Sequence, residues 1–106
     1  MTKNEVELDS ANFSAQTAQG LTLVDFWAPW CGPCLAQAPV LESLAAKMAG
    51  RMTVGKCDVD ENPELAGRFR ISGIPTLVLI KDGREVERVV GMQSEARLAS
   101  LVQKHL

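Results

Sequence analysis

The sequence is short of most features that mark a stapled scaffold or a specialised surface. Its 106 residues hold only three cysteines and one histidine, and so low and odd a cysteine count excludes a framework of structural disulfides. Neither sign of charge is in excess: 11 Lys+Arg stand against 13 Asp+Glu, interspersed, for a formal net charge of −2. That balance leaves no basic stripe for nucleic acid or an anionic membrane. No apolar run approaches the roughly 18 residues of a spanning helix. The start, MTKNEVELDS, lacks the basic-then-apolar layout of a secretory leader. Repeats, low-complexity tracts and linkers are missing too. The expectation is a monomeric cytoplasmic protein without nucleic-acid or membrane partners. With 46% hydrophobic and 23% charged residues, residues 1–106 suit one globular domain. At this length about two-thirds of the unfolded surface is buried, so no staple is needed.

What is present is a strong alternation of patterns. Residues 5–8 alternate polar and apolar, as an edge strand does. Asp9 or Ser10 is placed to cap a short helix running towards Gln19, with Gly20 as its stop. Residues 21–27 are nearly all apolar, which suits a central strand covered on both faces. A longer helix is predicted over 31–48, with Leu41, Leu44, Ala45 and Met48 on one stripe, Pro39 inside it and Gly50 beyond its end. Residues 52–59 read as a strand, and Asn62-Pro63-Glu64 as a helix start with a capping Asn. Residues 76–80 and 84–90 read as strands joined at an Asp82-Gly83 hairpin turn. After Gly91, Leu98, Leu101 and Val102 give a last helix its buried stripe. The order βαβαβαββα implies a three-layer α/β domain, with parallel crossovers and an antiparallel pair at one edge.

Two of the cysteines form Cys31-Gly32-Pro33-Cys34, where the apolar strand gives way to the long helix. Residues i and i+3 of a helical turn are within disulfide reach, so the pair can cycle between dithiol and disulfide with little backbone movement. Pro33 is tolerated in a first turn, where its missing N–H would have been unpaired anyway. No Ser, Thr, Asp or Asn stands at the start of this helix, so the free N–H groups can face the Cys31 sulfur. At an unperturbed pKa of about 8.5, only roughly 3% of a thiol is ionised at pH 7. The helix terminus lowers that pKa by about one unit at best. Cys31 is therefore the attacking thiolate, and Cys34, deeper in the turn, is the shielded resolving thiol. Asp25 lies inside the apolar run Leu23-Val24-Asp25-Phe26-Trp27, where burial should raise its pKa. It is a candidate proton partner for Cys34, with Lys56 on the neighbouring strand as its charge partner. A buried structural ion pair is the alternative for these two residues.

Asp25-Phe26-Trp27-Ala28-Pro29-Trp30-Cys31-Gly32-Pro33-Cys34 resembles the active-site segment of the thioredoxin family. Gly73-Ile74-Pro75-Thr76, the Lys81-Asp82-Gly83 turn and Gly91 are similar to that family at the matching places, so the resemblance covers nearly the whole chain. It implies the thioredoxin fold, a central mixed five-stranded sheet flanked by helices. It also implies a protein-disulfide reductase in which Cys31 attacks, Cys34 resolves and Asp25 assists. No cofactor is bound on this reading. Electrons come from NADPH through a flavin-dependent thioredoxin reductase, which with disulfide-bearing client proteins makes up the implied partners. Ile74-Pro75 would be a cis peptide bond, and Trp30, Ile74, Pro75 and Gly91 would rim the cysteines as an apolar docking patch. Gly32 and Pro33 support the pair, and Trp27 packs beneath it, supporting Asp25. Three residues depart from the family pattern: Leu35 where a basic residue is frequent, Arg70 where glycine is common, and Cys57, expected to be small and buried on a strand.

Other readings are separable. Cys31, Cys34, Cys57 and His105 make up the number a Cys₃His zinc site requires. However, Cys57 and His105 lack a second paired spacing, and His105 reads as a solvated residue near a helix C-terminus. A non-catalytic binding subunit would not need Cys31, Pro33, Cys34, Asp25 and Pro75 together. An oxidant or isomerase on the same scaffold differs in potential, which spacing does not fix.

Overall fold

A computed structural model describes residues 4–106. The apolar run expected at the centre is there: β2 (Leu21–Trp27) is buried along all but its last residue. It pairs in parallel with β3 (Thr53–Asp58) on one side and antiparallel with β4 (Thr76–Lys81) on the other. β1 (Glu5–Glu7) lies parallel on the outer edge of β3, and β5 (Arg84–Val90) antiparallel on the outer edge of β4. The order is β1-β3-β2-β4-β5, a mixed sheet. Alternation alone implied parallel crossovers, and β4 corrects that. The connection from β3 to β4 contains the short helix α3 (Pro63–Arg68). The chain does not return along the sheet before β4, which begins where β3 ends, with Thr76 beside Phe26. This reversal brings residues 73–75 to the same end of the sheet as the cysteines.

The pleat of β2 sorts side chains to two layers. Leu21 and Leu23 pack against Leu41, Leu44 and Ala45 of α2 (Gly32–Lys47) and Leu98 and Val102 of α4 (Glu95–Gln103). Val24 and Phe26 pack against Phe13 of α1 (Phe13–Thr17) and Leu65 of α3. The result is the three-layer arrangement. Gly55 is required by a close approach, because a Cβ there would collide with the Leu8 side chain. Among the described residues, no helix is long and apolar enough to cross a membrane.

Helix boundaries follow local hydrogen bonding. α2 is capped by Cys31, continues through Pro39 and ends at Met48, within one residue of expectation at each end. α1 starts later than expected. Asp9 Oδ1 accepts from the N–H groups of Ala11 (2.9 Å) and Asn12 (2.8 Å), closing a turn before Phe13. Asn62 does not cap α3 with its side chain, since its Nδ2 donates backwards to Asp58 O at 3.1 Å. The Asp82-Gly83 turn has both residues at positive φ, +50° and +85°, the geometry of a tight hairpin. Asp82 Oδ1 also accepts from Gly20 N–H at 2.8 Å.

Arg70 shows why glycine suits its place. Its φ is +54°, and it closes α3 with Arg70 N–H to Gly67 O (3.1 Å) and Ile71 N–H to Ala66 O (2.9 Å). That is the bonding of a C-terminal left-handed cap. An exposed arginine there carries a Cβ penalty that glycine avoids, partly offset by the greater freedom of glycine in the unfolded chain. Arg70→Gly is expected to raise stability by about 0.5–1 kcal/mol, read as a higher denaturant midpoint at constant slope. A lower midpoint would show that the arginine side chain outweighs its backbone strain.

Candidate active site

The redox pair is built by the junction of β2 and α2. Cys31 N–H donates to Ala28 O at 3.1 Å, and Cys31 O accepts the first bond of the helix from Leu35 N–H at 3.1 Å. The backbone of Cys31 is extended, so its side chain occupies the capping position, and Sγ accepts from Cys34 N–H at 3.2 Å. Pro33 sits in the first turn. Cys31 and Cys34 are joined as a disulfide with Cα atoms 5.2 Å apart. Cys34 is sealed from solvent while Cys31 keeps 5% exposure, and Gly32 and Pro33 lie exposed above them. With Ala28 the two cysteines form a small apolar cluster against Trp27, Val59 and Ile74. Cys31 Sγ stands 3.7 Å from Ile74 O, so the sulfur with access to solvent faces a backbone carbonyl.

Beneath this junction lies a buried charge pair. Asp25 is wholly buried on the α2 side of the sheet, the side of Leu21 and Leu23, and its register partner is Lys56. Lys56 Nζ is 3.8 Å from Asp25 Oδ2, too far for a direct hydrogen bond, and neither carboxylate oxygen has a hydrogen-bond donor among the described residues. Burial pushes the Asp25 carboxyl from 3.8 up to about 7, against the attraction of Lys56 and with the help of the nearby acid Glu5. Trp27 is engaged with the lysine, whose Nζ lies 4.5 Å from the centre of the indole. A cleft of about 360 Å³ lined by Trp27, Pro29, Lys56 and Asp58 opens beside this pair.

The residues expected to rim the cysteines gather at the same end. Trp30 is 69% exposed, and its Nε1 donates to Asp60 Oδ2 at 2.6 Å. Ile74-Pro75 is cis. Gly91, at φ +91°, donates its N–H to Pro75 O at 2.8 Å, tying the end of β5 to the start of β4. Leu35, immediately after Cys34, is exposed.

The four residues of the alternative zinc reading are not brought together. Cys57 is buried among Phe26, Val78 and Ile80 on the opposite face from Asp25, and burial, with Asp58, Asp9 and Asp25, pushes its thiol up to about 11. His105 is half-buried with Nε2 2.8 Å from Glu87 Oε2, so it is a paired side chain rather than the solvated one expected. Sequence reasoning missed Glu5, Asp60 and Gln37. Glu5 and Asp60 carry no local signal of their partners. Gln37 did carry one, since it falls on the stripe of α2 between Cys34 and Leu41.

The Thioredoxin family model matches residues 4–104. A thioredoxin of Staphylococcus aureus (strain N315) is 48% identical over 101 residues, covering 95% of this chain and 97% of its own length. A thioredoxin of Staphylococcus saprophyticus subsp. saprophyticus matches to the same extent.

Proposed function

The chain belongs to the thioredoxin family and is a thiol–disulfide oxidoreductase with Cys31 and Cys34 as its redox couple; on that premise we propose how its residues divide the work. Reduced Cys31 attacks a client disulfide as the thiolate. A Cys31–client S–S bond forms, the client S–S bond breaks, and the first client sulfur leaves as a thiolate that takes a proton from water. Cys34, having passed its proton to the Asp25 carboxylate through water, attacks the Cys31 sulfur. The Cys31–Cys34 bond forms, the second client sulfur leaves, and two electrons have moved to the client. The observation that carries this assignment is the Cys34 N–H aimed at the Cys31 sulfur at the head of α2, a donor that favours negative charge there. A raised Asp25 pKa near 7 lets it give and take a proton at neutral pH.

Trp30, Ile74, Pro75 and Gly91 receive the client. Proline at position 75 offers no N–H, which leaves the backbone before it to pair with an extended client segment. Lys56 and Trp27 hold the Asp25 site, and Gly32 and Pro33 shape the turn. On this reading a single domain acts as a cytoplasmic monomer, and NADPH recharges it through a flavin-dependent thioredoxin reductase.

The direction of electron flow is tested by equilibrating the couple with a dithiol buffer of known potential. A reductant should lie below about −230 mV, while a value near −120 mV would make the protein an oxidant. The reduced protein should also cleave disulfides in a test protein with an external dithiol as electron source.

A further inference from the structure

Gln37 lies one turn beyond Cys34 on α2 and is wholly buried. An amide removed from water must find its partners within the protein, and Gln37 finds both on one backbone unit. Its Nε2 donates to Gln93 O at 3.0 Å, and its Oε1 accepts from Gln93 N–H at 2.7 Å. The Gln93 side chain turns back along its own segment, Nε2 donating to Val90 O (3.3 Å) and Gly91 O (3.2 Å). Gly91 in turn is bonded to Pro75. Residues 91–93 belong to no helix or strand, so no regular ladder fixes them and these side-chain bonds tie them to α2.

We infer that Gln37 is a positioning residue for client recognition, clamping the Gly91 segment against Pro75 so that one wall of the docking groove is set before a client arrives. This rests on the docking role proposed above for Gly91 and Pro75. A preset wall removes an ordering cost from binding. Its loss therefore belongs in KM, and only for clients large enough to lie along the groove.

The test compares the full-length protein with Gln37→Met, close in length but without the amide, and with Gln93→Ala. Each is assayed on a disulfide-bonded test protein and on a small soluble disulfide. Gln37→Met should raise KM for the protein client about tenfold, with kcat changed less than about twofold. The rate on the small disulfide should stay as it was. Amide exchange should speed up at residues 90–93 while Val24 and Phe26 keep their protection. Gln93→Ala alters only a half-buried side chain, so it keeps the fold and should raise KM about threefold. Unchanged KM and unchanged exchange in both variants would overturn the inference, as would equal losses on both substrates, which would place Gln37 in the support of Cys34. A wild-type protein inactive on either disulfide would sink the redox reading, while amide exchange, which needs no client, would still decide whether Gln37 holds the segment.

Discussion

Cys31→Ser is expected to abolish reduction of a protein disulfide, a loss of at least about 10³-fold, because a serine hydroxyl is not ionised near neutral pH and forms no S–S bond. Cys34→Ser should behave differently. The Cys31 sulfur keeps its place at the head of α2, so attack proceeds and the reaction halts at the mixed disulfide, visible as a covalent complex that a dithiol dissolves. Cys57 should rescue neither variant. It is buried on the opposite face of the sheet, and its thiol is held up to about 11, where almost none is ionised at pH 7. Cys57→Ala should accordingly leave the rate unchanged. Full activity in Cys31→Ser would mean the wrong sulfur has been assigned. A trapped complex on Cys31→Ser instead of Cys34→Ser would reverse the two roles.

The placement of this pair was legible in the sequence because local rules govern it. A Cys-x-x-Cys at a strand-to-helix junction with no competing cap makes the first sulfur the cap, and Cys31 occupies that position. The central strand showed itself through a nearly unbroken apolar run, and the hairpin through Asp82-Gly83. What stayed hidden depends on long-range placement. The antiparallel run of β4 rests on its pairing with β2, which no local residue pattern marks. The pairing of Trp30 with Asp60 joins positions 30 residues apart, and that of Gln37 with Gln93 joins positions 56 apart. The influence of Glu5 on Asp25 passes across β3, between strands that follow one another in the chain but are not paired in the sheet. Arg70 lay between these cases: its departure from glycine was visible, but the positive φ that explains it was not.

Asp25 is where buried electrostatics should have the largest measurable consequence for both stability and rate. Its carboxyl titrates near 7 in the folded protein and near 3.8 when unfolded, so between those values the folded state holds the extra proton. Stability contributed at this position is therefore present below about pH 4 and is lost as pH rises through about 7. The full loss is on the order of 4 kcal/mol. Glu85, Glu87 and Glu95 are shifted the other way by Arg88, His105 and Lys47 respectively. Their contributions are lost only on acidification below about 4.5, at the acid edge of the window in which Asp25 acts. In urea titrations across pH 4 to 8, Asp25→Ala should flatten the wild-type decline and be more stable above pH 7 by about 2–4 kcal/mol, since it removes a buried charge that Lys56 does not fully compensate. The same variant should slow resolution of the mixed disulfide about tenfold or more near neutral pH, because Cys34 loses its proton acceptor. Raising the pH should restore much of that rate as solvent base takes over. A variant that kept the wild-type pH slope would show that Asp25 is not the titrating group. One that lost the slope but kept the wild-type resolution rate would leave Asp25 and Lys56 as a structural pair alone.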